Sequence, residues 1–72
     1  MPTLREARQA YFLSQQDLAN AANVAKSTVV AIERGRHRPQ PRTARALARA
    51  LGITPAAIEW PGYEDAPNEP SA

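Results

Sequence analysis

The 72-residue chain has room for one small domain, which excludes an enzyme built from separate cofactor and substrate lobes. Fifteen residues are alanine and only sixteen carry larger apolar side chains, so the core must be small. Because the chain has no cysteine, this core must be held together without disulfides. A single histidine, His37, argues against a histidine-based metal site, and we predict no metal and no cofactor.

The net charge of +2 combines a basic part and an acidic part of the chain. Residues 1–58 contain all nine basic residues and three acids, a balance of +6, whereas residues 59–72 contain four acids and no basic residue. Seven of the basic residues lie between Lys26 and Arg49. Clustered positive charge on a small domain indicates an anionic partner such as nucleic acid.

No apolar run approaches the roughly 20 residues needed to cross a bilayer, and residues 1–6 lack the apolar core of a signal peptide. We therefore expect a cytoplasmic protein without a membrane partner.

The first two predicted helices begin at polar caps. Thr3 followed by Glu6 forms a capping box and starts a helix whose inner face carries Leu4, Ala7 and Tyr11. Ser14 caps a second helix, with Asp17 in its first turn. Its apolar stripe consists of Leu18, Ala19 and Ala22. Asn23 ends this helix, because asparagine tolerates the left-handed conformation.

Three further helices are predicted downstream. The third covers residues 26–34, with Val29 and Ile32 inward and Gly35 as its stop. Pro41 suits the first turn of the fourth, which Gly52 ends. The fourth helix presents an apolar stripe made of Ala44, Leu47, Ala48 and Leu51. Thr54-Pro55 opens a short fifth helix that runs to about Trp60.

The final segment, residues 61–72, is acidic and proline-rich and has no aliphatic side chain larger than alanine. Such a composition cannot bury enough surface to fold, so we expect a disordered tail behind an all-α domain at residues 1–60.

Residues 15–35 carry the spacing of a helix-turn-helix motif. Two short helices meet at a three-residue turn, Asn23-Val24-Ala25. Inward positions are occupied by Leu18, Ala19, Val24, Val29 and Ile32. The small Ala19 allows the two helices to cross closely, and in this motif the second helix enters the DNA major groove.

The order and spacing of five short motifs resemble the Xre/Cro-like DNA-binding domains of lambdoid phage repressors. The motifs are LREAR (4–8), LSQQDLA (13–19), KSTV (26–29), IERG (32–35) and LARALGI (47–53). The resemblance covers about residues 3–60. It implies a compact five-helix, lambda-repressor-like fold in which helices 2 and 3 form the helix-turn-helix. It also implies a transcriptional regulator, and we expect a repressor that binds a double-stranded DNA operator as a homodimer.

The resemblance assigns roles to individual residues. Base-reading positions are Lys26, Ser27, Thr28, Val30 and Ala31. Phosphate-contacting positions are Gln15, Arg34, Arg36, Arg38 and Arg42. Gln15 would also brace the first residue of the recognition helix, and Arg8 and Glu33 match an internal salt bridge. Ile58 and Trp60 are candidates for a dimer contact, but they could equally close the core of the monomer.

Four departures from the family pattern stand out. Phe12 occupies a position that is usually glycine, which predicts a strained or differently shaped exit from helix 1. Asn23 replaces the usual turn glycine, and Ala25 replaces a Ser or Thr cap at a cost of about 1 kcal/mol. Val30 and Ala31 are apolar where relatives carry polar or basic residues, so specific base reading is expected to be sparse.

Simpler interpretations apply to several residues. Tyr11, Phe12 and Trp60 are interpreted as core or edge packing, and His37 as a loop residue. Arg45 and Arg49 are expected on a solvated face of helix 4, with a DNA contact as the alternative.

Glu6, Asp17 and Glu33 have capping or pairing roles, so they form no catalytic set and we predict no enzyme. Val30 could meet a thymine methyl group, be loosely packed at the surface, or contact a protein partner. The alternative function is therefore a protein-binding module, such as an antitoxin or a co-regulator that meets its partner through this apolar face and the acidic tail.

Overall fold

A computed structural model describes residues 1–36 and 38–61. Four α-helices occupy this part of the chain, in the order α1 (Leu4–Ala10), α2 (Gln15–Ala22), α3 (Lys26–Glu33) and α4 (Pro41–Ala50). A single 3-10 turn follows at Pro55–Ala57. The predicted loop position of His37 and the predicted disorder from residue 62 onward lie outside the described residues.

Local sequence sets where α1 and α2 begin. Thr3 Oγ1 accepts the Glu6 N–H at 3.2 Å, and Glu6 Oε1 accepts the Thr3 N–H at 2.9 Å. Ser14 and Asp17 repeat this reciprocal capping box at the start of α2, with distances of 2.9 and 3.1 Å. Each box satisfies two backbone N–H groups that lack a partner within the helix, so these starts are encoded within four residues.

The helix ends are equally local. Asn23 adopts the left-handed conformation (φ 58°, ψ 45°), and the Val24 N–H then donates to the Ala19 carbonyl at 3.0 Å. Gly35 has a φ of +73° after α3, and the Arg36 N–H donates to the Ala31 carbonyl at 3.1 Å. These are the hydrogen bonds of helix-terminating motifs that require a positive φ, as the sequence predicted for both residues.

One core joins all the helices. It is built from the inward stripes of the four helices together with three residues beyond them, namely Leu4, Ala7, Leu18, Ala19, Val29, Ile32, Ala44, Leu47, Ala48, Leu51, Ile58 and Trp60. Four of these residues are alanine, which lets short helices approach closely, and Ala19 and Ala48 have no solvent exposure at all. The predicted stripes of α2, α3 and α4 are therefore confirmed.

The prediction of a fifth helix through Trp60 is wrong, because the described residues contain only the three-residue 3-10 turn after α4. Ile58 is already extended, with φ −116° and ψ 140°. The Glu59 N–H donates to the Pro2 carbonyl at 2.7 Å, and an isolated parallel bridge pairs Glu59 with Thr3. Alternation places Ile58 and Trp60 on the same side, toward the core, as in a strand.

The expectation that Tyr11 and Phe12 pack in the core or at its edge is also wrong, because neither packs against the core cluster. Their exposed fractions are 53% and 95%, respectively. α1 ends at Ala10, and Phe12 has a φ of +59°, so the chain turns and the partly buried Leu13 packs against the core in their place. Trp60 is buried as predicted, and its Nε1–H donates to the Pro55 carbonyl at 2.9 Å.

Across residues 1–36 and 38–61, no helix combines the length and the apolar character needed to cross a bilayer.

Candidate nucleic-acid interface

The two helices of the helix-turn-helix pack closely against each other. The side chains between α2 and α3 are fully or almost fully buried, with Leu18, Ala19 and Val29 at 0% exposure and Ile32 at 2%. The left-handed Asn23 and the hydrogen bond from Val24 to Ala19 fix the turn between the helices. α3 is therefore held by its inner face, which leaves its outer face available to a partner.

The outer face of α3 carries the predicted base-reading residues. Lys26 and Ser27, in the first turn, are exposed, whereas Thr28, Val30 and Ala31 are half-buried. Ala25 precedes the helix without a side-chain cap, as its sequence predicted. The polar groups able to reach a base edge therefore lie at the N-terminal end of α3, and the apolar part of the face follows one turn later.

Arginines continue this surface beyond α3. Arg34, Arg36 and Arg38 are exposed between α3 and α4, and Arg42 is exposed in the first turn of α4. No carboxylate of the described residues lies within ion-pair distance of Lys26, Arg34, Arg36 or Arg42. Arg45 and Arg49 are also exposed, as expected for one face of α4. Exposed arginines therefore follow α3 along the chain, from its C-terminal end into the first turn of α4.

An ion pair ties the far end of α3 to α1. Arg8 Nε donates to Glu33 Oε2 at 2.6 Å, and the second terminal nitrogen of Arg8 donates to Glu33 Oε1 at 3.1 Å. The two side chains are only 10% and 5% exposed. The remaining terminal nitrogen of Arg8 donates to the Leu13 carbonyl at 2.7 Å. This bidentate geometry is the strong form of a guanidinium–carboxylate contact.

Gln15 completes the same network. Its Nε2 donates to Glu33 Oε1 at 3.0 Å, so it braces the last residue of α3 and not the first, Lys26. The sequence predicted that Gln15 braces Lys26, whereas the structure shows it bracing Glu33. The Leu13 carbonyl was not predicted to take part, because a backbone oxygen leaves no sequence signal. Together these residues fix α3 relative to α1 and to the start of α2.

The two candidates for a dimer contact lie in the core of a single copy. Ile58 is 2% exposed and Trp60 is 6% exposed. Of the two roles left open for them, the structure favours closing the monomer core.

One carboxylate near the start of α2 titrates away from its ordinary range. Hydrogen bonds from the backbone and the side chain of Ser14 hold the pKa of Asp17 below the usual aspartate value of 3.8. The charged form is favoured because it accepts these hydrogen bonds, and it also interacts well with the positive end of the helix dipole.

Comparison with known proteins decides the family. A helix-turn-helix family model matches residues 4–58, which is most of the chain. The chain belongs to the Xre/Cro-like helix-turn-helix family. It is also similar to an uncharacterized HTH-type transcriptional regulator of Methanothermobacter thermautotrophicus, with 41% identity over 49 residues that span 68% of this chain and 71% of the relative. No solved structure gives a significant match.

The family match covers the region that contains the candidate interface. The matched region contains the whole helix-turn-helix, the Arg8–Glu33 pair and the arginines that follow α3. The chain is a helix-turn-helix DNA-binding domain of the kind found in transcription regulators.

Proposed function

We propose that this chain is a sequence-specific transcriptional regulator that binds double-stranded DNA through α3 and acts as a repressor. The observation that carries the proposal is the exposed first turn of α3, with Lys26 and Ser27. Of the arginines that follow α3, Arg34, Arg36 and Arg42 are exposed and have no ion pair with a described carboxylate. The similarity to an HTH-type transcriptional regulator supports the same function.

Each part of the surface has a distinct role in this proposal. Lys26 donates to guanine O6 or N7, and Ser27 bonds to either kind of base pair. Thr28 lies between base and phosphate, while Val30 and Ala31 meet thymine methyl groups. Because Val30 and Ala31 have no hydrogen-bonding side-chain groups and Thr28 is half-buried, few hydrogen bonds to bases are available and specificity is modest.

Affinity comes mainly from the backbone contacts. The phosphate-contacting residues are Gln15, Arg34, Arg36, Arg38 and Arg42. Such contacts fix the register of the protein on DNA without reading the sequence. They also release counterions, so binding should weaken with salt at a log–log slope of about −0.9 per neutralised phosphate.

Two copies on a two-fold-related operator would place their recognition helices in successive major grooves about 34 Å apart. A regulator of this kind represses by occupying the operator and needs no catalytic group or cofactor. DNA as the partner implies a cytoplasmic location.

Selection of bound duplexes from a random DNA pool tests the proposal. The expected result is an enriched inverted repeat whose half-sites are one helical turn apart. Binding without sequence enrichment would refute specific regulation, and an enriched single half-site would refute the homodimer.

A second function, a protein-binding module such as an antitoxin or co-regulator, is favoured by one observation. Phe12 is 95% exposed and stands next to Tyr11, which is 53% exposed, on the connection between α1 and α2. Exposed neighbouring aromatic side chains are typical of protein interfaces. If a toxin-like protein encoded beside this chain co-purifies with it, Phe12→Ser should abolish co-purification while DNA binding persists.

A further inference from the structure

A polar cleft of about 430 Å³ lies beside the helix-turn-helix. It is formed by α1, the start of α2 and the end of α3, and it is lined by Arg5, Arg8, Ser14, Gln15, Glu33 and Arg34. We call it the Arg5–Arg34 cleft after the two exposed arginines at its sides. Three of its six lining residues are arginines, and only one is an acid.

The single acid in the cleft is already neutralised. Both oxygens of Glu33 accept hydrogen bonds from Arg8, and Gln15 donates to Oε1 as well. Arg5 and Arg34 have no ion pair with any described carboxylate. The exposed Glu59 lines an adjoining cleft with both arginines but lies beyond ion-pair distance of each. The Arg5–Arg34 cleft therefore presents two uncompensated positive charges.

We propose that the Arg5–Arg34 cleft binds a phosphate of the DNA backbone and that Arg5 is a DNA-contacting residue supplied by α1. Guanidinium groups match the geometry of phosphate oxygens, and two of them here face one cleft. Gln15 has a second hydrogen on Nε2 beside the one donated to Glu33, and this hydrogen can point to the same anion. The inference rests on the proposed DNA-binding function and adds a contact to it.

The position of the cleft favours a backbone phosphate over other anions. Arg34 directly follows α3, the helix proposed to lie in the major groove, and the strands that border a groove pass the ends of such a helix. The Arg8–Glu33–Gln15 network fixes the floor of the cleft, so an anion would bind to prearranged groups.

Arg5→Gln tests the proposal, with Arg49→Gln as the matched control. Both substitutions remove one exposed positive charge without breaking an ion pair among the described residues. Arg49 lies on α4 and lines none of the described clefts. The probe is a fluorescently labelled random-sequence duplex, and its dissociation constant is measured by anisotropy over a salt series with the full chain.

Arg5→Gln should weaken binding up to about fivefold at low salt, the effect of one exposed ion pair. It should also reduce the salt slope by about 0.9, which corresponds to one phosphate contact. Arg49→Gln should leave the slope near that of the wild type. An unchanged slope in Arg5→Gln, or an equal reduction in both variants, would overturn the inference.

Inorganic phosphate distinguishes the source of the anion. In this experiment inorganic phosphate replaces chloride at constant ionic strength, and the fraction of bound duplex that is released is measured. We expect the wild type to release no larger a fraction than Arg5→Gln does. Selective displacement from the wild type would show a site for free phosphate and overturn the assignment to DNA. A wild-type protein with no salt-dependent binding to any duplex would instead refute the proposed function itself.

Discussion

Replacing Glu33 by glutamine should destabilise the domain far more than removing any exposed acid. The glutamine side chain has nearly the same shape but only one acceptor oxygen, whereas the carboxylate of Glu33 accepts three hydrogen bonds. The variant therefore leaves Arg8 charged, 10% exposed and facing an amide group in place of a carboxylate.

The size of the effect follows from burial. Removing one partner of a buried ion pair costs about 3–5 kcal/mol, and the partial exposure of this network favours the lower end, about 3 kcal/mol. Sixty residues are described, and a domain of that length has a free energy of unfolding of about 3–9 kcal/mol. Glu33→Gln should thus remove a third or more of the stability and lower the Tm by about 12–24 °C.

Urea and thermal unfolding, followed by far-UV circular dichroism and by the fluorescence of the single tryptophan, measure this loss. Trp60 is a suitable probe because it is 6% exposed in the folded protein. Glu59→Gln is the matched control, since it removes the same charge from an exposed side chain and should change the free energy of unfolding by less than about 0.5 kcal/mol.

A double-mutant cycle separates the pair from its surroundings. Arg8→Met combined with Glu33→Met should be less destabilising than the sum of the two single variants by about 2–3 kcal/mol, because neither charge is then buried alone. A loss below about 1 kcal/mol in Glu33→Gln, or additive effects in the cycle, would show that this ion pair does not hold α1 to α3.

Three further predictions address the turn, the cap and the DNA surface. Phe12→Gly should raise the free energy of unfolding by about 0.5–1 kcal/mol in urea unfolding, because it relieves a φ of +59° and removes a side chain that is 95% exposed. Asp17→Asn should flatten the loss of stability on acidification below pH 3.8, measured by thermal unfolding over a pH series. Lys26→Ala should relax the preference at one base pair in each half-site, whereas Arg36→Ala should weaken all duplexes alike, as measured by anisotropy.

The sign of the pH effect follows from the lowered pKa. Because the pKa of Asp17 is lower in the folded state than in the unfolded state, its contribution to stability is present above pH 3.8 and is lost as the pH falls through the folded-state value. Parallel pH profiles for the wild type and Asp17→Asn would contradict the capping role of the carboxylate.

The other two predictions have their own controls. Tyr11→Gly, at a residue with a φ of −103°, should destabilise, and a similar loss in Phe12→Gly would disprove strain at Phe12. Equal losses on operator and random duplexes for Lys26→Ala would show that Lys26 binds phosphate and reads no base.

Features that depend on a few consecutive residues could be predicted from the amino-acid sequence. Both capping boxes, the left-handed Asn23 and the glycine after α3 were predictable because their hydrogen bonds join residues five or fewer positions apart. The stripes of α2, α3 and α4 were predictable from helical periodicity, and the family resemblance supplied the pairing of Arg8 with Glu33.

Contacts between residues far apart in the chain could not be predicted and became known from the folded arrangement of the helices. The Glu59 N–H bonds to Pro2, which draws the end of the domain into an extended conformation where the sequence predicted a helix. Gln15 meets Glu33, eighteen residues away, and the fold brings Arg5 and Arg34 to one cleft. Such contacts depend on how helices cross, and no periodicity within a single helix encodes that geometry.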